Sequence, residues 1–149
     1  MATQSVQKDY QGPDWPLGAI AVATPGTPVN IMSLVDSGNV AAPQTATSYS
    51  ATSAVPEYTV RAQKIIFQAV KAGASHGLAN NTGNIYICRK GVQGAGNRDD
   101  YGSIIATIAP GATFVLEAAA LDRNVFNPYR YSIDADNAAD GALVTLIIQ

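Results

Sequence analysis

The polar and apolar positions of this chain alternate with a period of two far more often than with a helical period. Alternation over four to eight residues is the mark of a half-buried strand. Gly18–Thr24 and Val29–Val35 flank a Pro25-Gly26 pair. Such a pair suits the middle of a type II turn, because Pro sets the first φ and Gly accepts the positive second φ. The same device recurs at Pro110-Gly111, between Ser103–Ala109 and Thr113–Glu117. Val60–Lys71 is long and apolar, with Ile65, Phe67 and Ala69 on one face. Asn84–Lys90 sets Ile85 and Ile87 on one face and Tyr86 and Cys88 on the other. Tyr129, Tyr131 and Ile133 alternate with Arg130, Ser132 and Asp134. Ala142–Ile148 follows Asp140-Gly141, a hairpin-type dipeptide, and is apolar on both faces, which predicts a strand inside a sheet. Helical signals are weak. Leu116–Val125 holds good helix formers but starts within a strand-like stretch and soon meets Pro128, so it predicts at most one short turn or helix. About eight strands at this spacing predict an all-β fold, an antiparallel β-sandwich of jelly-roll type.

One stretch breaks the pattern. Ala41–Pro56 has neither period, and Pro43 and Pro56 bracket it. It reads as an extended arm or long loop, and packing along a neighbouring subunit would account for it. The expected organisation is one domain. Residues 1–59 form an N-terminal arm with the first strands, partly extended, and residues 60–149 supply the remaining strands of the same sandwich.

Composition narrows the function. At 149 residues, 47% of them hydrophobic, the chain can bury a full core and is read as one globular domain. Charged residues are only 13%, about half the usual share, which suggests that much of the surface meets other protein. Nine basic against eleven acidic residues leave no electrostatic footprint for nucleic acid. The single Cys88 excludes an intrachain disulfide, and the single His76 excludes a multi-histidine metal site. Residues 1–11 lack the apolar run of a secretory signal. Ala142–Ile148 is far shorter than the ~20 residues that span a bilayer. No membrane role or export is expected.

The chemistry-bearing clusters are few. Asp134, Asp136, Asn137 and Asp140 (DADNAADG) are the densest oxygen set and invite a Ca²⁺ loop, but Ala138 and Thr145 stand where an EF-hand needs ligands. An Asx-rich turn between two strands is the better reading. Arg98-Asp99-Asp100 reads as a solvated loop tip. Gly91–Gly96 lacks the third glycine of a dinucleotide loop. Ser75-His76 lacks any visible orienting acid, and Asn80-Asn81-Thr82 reads as a turn. Trp15, between Pro13 and Pro16, either caps the end of the sandwich or anchors into a partner's pocket. Neither a catalytic residue nor a cofactor or metal site is assigned, and no enzymatic activity is expected.

Three runs carry a family resemblance: Asn81-Thr82-Gly83-Asn84-Ile85-Tyr86-Ile87, Ile108-Ala109-Pro110-Gly111-Ala112-Thr113-Phe114, and Tyr131-Ser132-Ile133-Asp134-Ala135 with the apolar strand after Asp140-Gly141. In this order they resemble head decoration (capsid-cementing) proteins of tailed bacteriophages and related jelly-roll virion proteins. The segment Pro16–Val22 followed by Pro25–Ile31 is similar as well. The resemblance covers residues 60–149 best. It implies a non-enzymatic structural protein that binds and stabilises an assembled capsid, on its outer surface, after synthesis in the host cytoplasm. It implies the major capsid protein as partner and a homo-oligomer, a trimer among the options. Trp15, Leu17, Tyr49 and Tyr58 are the expected contact residues. The alternative is a carbohydrate-binding sandwich of a phage tail or fibre, with Tyr129, Tyr131 and the Asp134–Asp140 loop at its site.

Overall fold

The structure is a computed structural model and describes residues 14–36, 62–89, 103–118 and 126–148. It is all-β: two antiparallel four-stranded sheets make a sandwich. The strands are β1 (Asp14–Ala21), β2 (Val29–Asn30), β3 (Ala62–Gln68), β4 (Val70–Ala72), β5 (Leu78–Asn80), β6 (Ile85–Arg89), β7 (Ser103–Ile108), β8 (Thr113–Glu117), β9 (Tyr131–Ala135) and β10 (Gly141–Ile148). One sheet runs β1-β10-β3-β8 and the other β2-β9-β6-β7, while β4 and β5 form a small two-stranded sheet of their own. Helical pieces among the described residues are single turns at Ser33–Asp36, Ala74–His76 and Pro128–Arg130.

The pairing is nested. β1 pairs with β10, β2 with β9, β3 with β8, and β6 with β7. The chain thus behaves as one long ribbon folded back on itself, with successive pairs going to opposite sheets. Each Pro-Gly turn carries the chain from one sheet to the other. Both have the expected geometry: Gly26 has φ +84° and Gly111 φ +78°. Thr27 N–H donates to Thr24 C=O at 3.0 Å and Ala112 N–H to Ala109 C=O at 3.0 Å.

The core lies between the sheets. Ile65 and Phe67 of β3, Val144 and Leu146 of β10, Ile85 and Ile87 of β6, and Ile133 of β9 are all fully buried. Each such side chain contributes about 1.5–3 kcal/mol by leaving water. β10, apolar on both faces, lies inside its sheet between β1 and β3, as its sequence requires.

Several boundaries differ from expectation for local reasons. The first strand begins at Asp14, ahead of Gly18, and runs through Pro16. It is an edge strand, where a missing N–H costs no ladder bond, and its register shifts between Pro16 and Gly18. The second strand stops at Asn30. The Asn30 carboxamide turns the chain, accepting from Met32 N–H at 2.9 Å and donating to Tyr129 C=O at 2.7 Å. The long apolar run from Val60 divides at Ala69, whose backbone is held by Ala112 and Gly111, and continues as β4 outside the main sheets. Tyr129 sits in a helical turn capped by the Asn127 side chain, so the ninth strand starts at Tyr131. Asp140-Gly141 does not close a hairpin, because β9 and β10 belong to different sheets.

Candidate functional site

The acidic loop Asp134–Asp140 crosses from one sheet to the other and meets two more connections at the same end of the sandwich. Asp140 is its centre, with a side chain fully removed from solvent. Lys71 of β4 donates to its Oδ1 at 2.9 Å. Thr82 donates its N–H at 3.0 Å and its hydroxyl at 3.0 Å to Oδ2, and Gly83 N–H adds a fourth donor at 2.9 Å. Burial alone would raise the pKa of this carboxyl. The ammonium of Lys71 and the donors from Thr82 and Gly83 outweigh that and hold it well below the usual carboxylate range.

Asn81 works beside it. Its carboxamide donates to Gly141 C=O at 2.7 Å and accepts from Gly141 N–H at 3.1 Å, replacing a partner strand with a side chain. Glycine is required at 141, because a Cβ there would collide with the carbonyl oxygen of Ile20. Backbone bonds tie the same loop to the residue just after β1: Val22 N–H donates to Asp140 C=O at 2.8 Å and Ala139 N–H to Val22 C=O at 2.9 Å.

The other two acidic side chains are also engaged. Asp136 accepts from Asn84 N–H at 2.9 Å and from the Tyr86 hydroxyl at 2.6 Å. The Tyr86 bond lowers the Asp136 pKa and raises that of Tyr86. Asp134 accepts from Gly26 N–H at 2.9 Å, which fastens the first Pro-Gly turn to β9. The arrangement is that of an Asx-rich structural turn. Its carboxylates converge on protein donors and face different neighbours, and no group of three or more His, Cys, Asp or Glu among the described residues could hold a metal ion.

The expected contact residues fall into two groups. Trp15 is 6% exposed and Leu17 0%, both in the core cluster beneath β1. Within the single chain their side chains pack into the core of the sandwich. A tryptophan on an edge strand can still face inward, and Trp15 does. Tyr49, Tyr58 and the 41–56 stretch lie outside the described residues, as do Gly91–Gly96 and Arg98–Asp100. Of the two tyrosines expected at a sugar site, Tyr131 is buried and packs edge-on against Phe126 with centroids 6.0 Å apart, and Tyr129 sits in the Pro128–Arg130 turn. Ser75 and His76 sit at the tip of the β4–β5 hairpin, with Ser75 at φ 54°.

Two features escape a reading of the sequence. A bulge in β7 sets Ile104 and Ile105 against the single step from Ile87 to Cys88, so Ile104 pairs with Cys88 and turns away from the core. Ile104 is 59% exposed and Ile105 40%. Cys88 itself is a buried free thiol whose pKa is pushed up by desolvation. The second feature is the outer edge of β8, where Val115 is 45% exposed.

Against known proteins, the chain matches no family model, no curated protein and no solved structure. Among the described residues, no helix is long and apolar enough to cross a membrane.

Proposed function

We propose that this chain is a structural protein of a bacteriophage virion that binds the outer surface of an assembled capsid and stabilises it. The observation that carries this reading is the strand order. A nested ribbon giving β1-β10-β3-β8 opposite β2-β9-β6-β7 supports a jelly roll, an architecture common to viral capsid and lectin domains. The resemblance along residues 60–149 points to the same class. The acidic loop supports it in a different way, since its carboxylates serve to hold three connections together at one end of the sandwich.

The mechanism is thermodynamic. A protein that binds the closed shell and not its separated subunits favours the closed shell by mass action. Many symmetry-related contacts add avidity even where each is modest. The major capsid protein is the proposed partner. With Trp15 and Leu17 in the core, exposed apolar positions such as Leu78, Ile104 and Ile105 are the proposed contacts.

The test mixes purified protein with capsid shells that lack it and follows co-sedimentation. Saturable binding at a constant ratio to the shell subunit, with a raised shell melting temperature, is the expected result. A folded, monodisperse protein that stays in the supernatant and leaves the melting temperature of the shells unchanged overturns the reading, and binding to a glycan array in its place would assign the sandwich to a tail or fibre.

A further inference from the structure

The four outer edges of the two main sheets are not alike. β1 carries Pro16 and a register shift, β2 is two residues long, and β7 is bulged at Ile105. Prolines, bulges and short lengths are the ordinary means by which proteins stop an edge from recruiting another strand. β8 has none of them. It is Thr-Phe-Val-Leu-Glu, in unbroken register with β3 from Thr113 to Glu117.

The direction of its backbone follows from the bonds at its two ends. Ala118 N–H donates to Gln63 C=O, and Ala112 C=O accepts from Ala69 N–H, each at 2.9 Å. Residues 112 and 118 therefore face β3, and by alternation so do 114 and 116. The N–H and C=O groups of Thr113, Val115 and Glu117 point the other way, to the open edge, and no described strand pairs with them. We propose that this edge binds the β8 edge of a second copy of the chain, antiparallel, about a two-fold axis at Val115.

The sequence suits that register. A two-fold at Val115 pairs Val115 with its equivalent and Thr113 with Glu117 of the other copy, and all three outward-facing residues then exchange both backbone bonds. Charge is compatible as well. The one charged residue of β8, Glu117, is paired with Lys64 of its own chain at 3.0 Å, and the two-fold sets it opposite a threonine and away from its own equivalent. On the outer face Val115 is the cross-strand neighbour of Ile66. Joining two copies makes one continuous apolar row, Ile66–Val115–Val115–Ile66, where each copy alone leaves it half open. The pairing would merge two four-stranded sheets into one of eight. It is independent of the proposed shell binding.

The test is sedimentation equilibrium of the full chain over a wide concentration range, with circular dichroism as the folding control. The wild type is expected to form a dimer in a concentration-dependent way. Val115→Thr keeps a β-branched side chain and should keep the dimer. Val115→Lys brings two like charges together at the axis and should weaken it roughly tenfold or more, as should Val115→Glu. An equimolar mixture of the Lys and Glu variants should restore a heterodimer. A folded wild type that stays monomeric, a dominant trimer, or Lys and Glu variants that self-associate as well as the wild type would each overturn the proposal.

Discussion

The end of the sandwich around Asp140 and the side around Val115 solve opposite problems. At Asp140 a buried charge is met by four donors within the chain, and among the described residues every buried side-chain nitrogen or oxygen has a partner. At Val115 a row of backbone groups faces outward with no strand of the described chain beside it. Buried polar groups left unmet are costly, so the first region needs each of its partners. An edge in water loses little by waiting, so the second can be completed by another molecule. The first region holds the fold together, and the second is where the fold can be extended.

That contrast can be broken most forcefully at its centre. Asp140→Ala should cost about 3–5 kcal/mol, since it leaves the Lys71 ammonium and two backbone N–H groups without their acceptor. Chemical denaturation reads this directly, and a loss under 1 kcal/mol would show that the cluster is not the lock described. Asn81→Ala should follow, at about 1–3 kcal/mol, because both backbone groups of Gly141 lose their partner. Substitution of Val115 by threonine should leave stability within about 0.5 kcal/mol, as expected of a surface position. A large loss there would mean that Val115 is needed by the single chain.

Acid should reveal the same asymmetry. The folded-state pKa of Asp140 lies below its unfolded value, so the unfolded chain takes up a proton first as pH falls. The stability from this group is fully present above about pH 5 and is lost progressively as pH falls from about 4 toward the depressed folded-state value. Asp140→Asn should flatten that part of the stability curve, measured by melting temperature against pH, whereas Val115→Thr should leave its slope unchanged. The smallest effect is expected for Tyr86→Phe. It should move the Asp136 carboxyl up toward the ordinary range in an NMR titration, with little change in melting temperature.

The sequence makes some of these elements easy to read and hides others. The two Pro-Gly turns are legible because φ preference is a property of the residue itself. The central place of β10 is legible because both of its faces are apolar. The end of β2 is not, since it depends on a bond from Asn30 to Tyr129, far along the chain. The cluster at Asp140 is visible as a concentration of acid, but its role depends on Lys71, Asn81 and Thr82, which only the fold brings near. The prolines around Trp15 leave capping the sandwich and anchoring into a partner equally open, and only its burial on β1 shows that it faces inward. The outward turn of Ile104 depends on one extra residue in a ladder, and alternation alone gives no sign of it.

The nested pairing has a consequence for how the molecule is made. β10 fills the slot between β1 and β3, so that sheet stays divided until the last described strand arrives. Its contacts join the most distant parts of the described chain, a topology that folds in milliseconds to seconds. During synthesis β1 and β3 must wait with facing edges open. A chain cut before Gly141 would keep that slot permanently, one strand wide and lined by the β1 and β3 backbones. β10 supplied from an intact copy has the sequence and the length to occupy it.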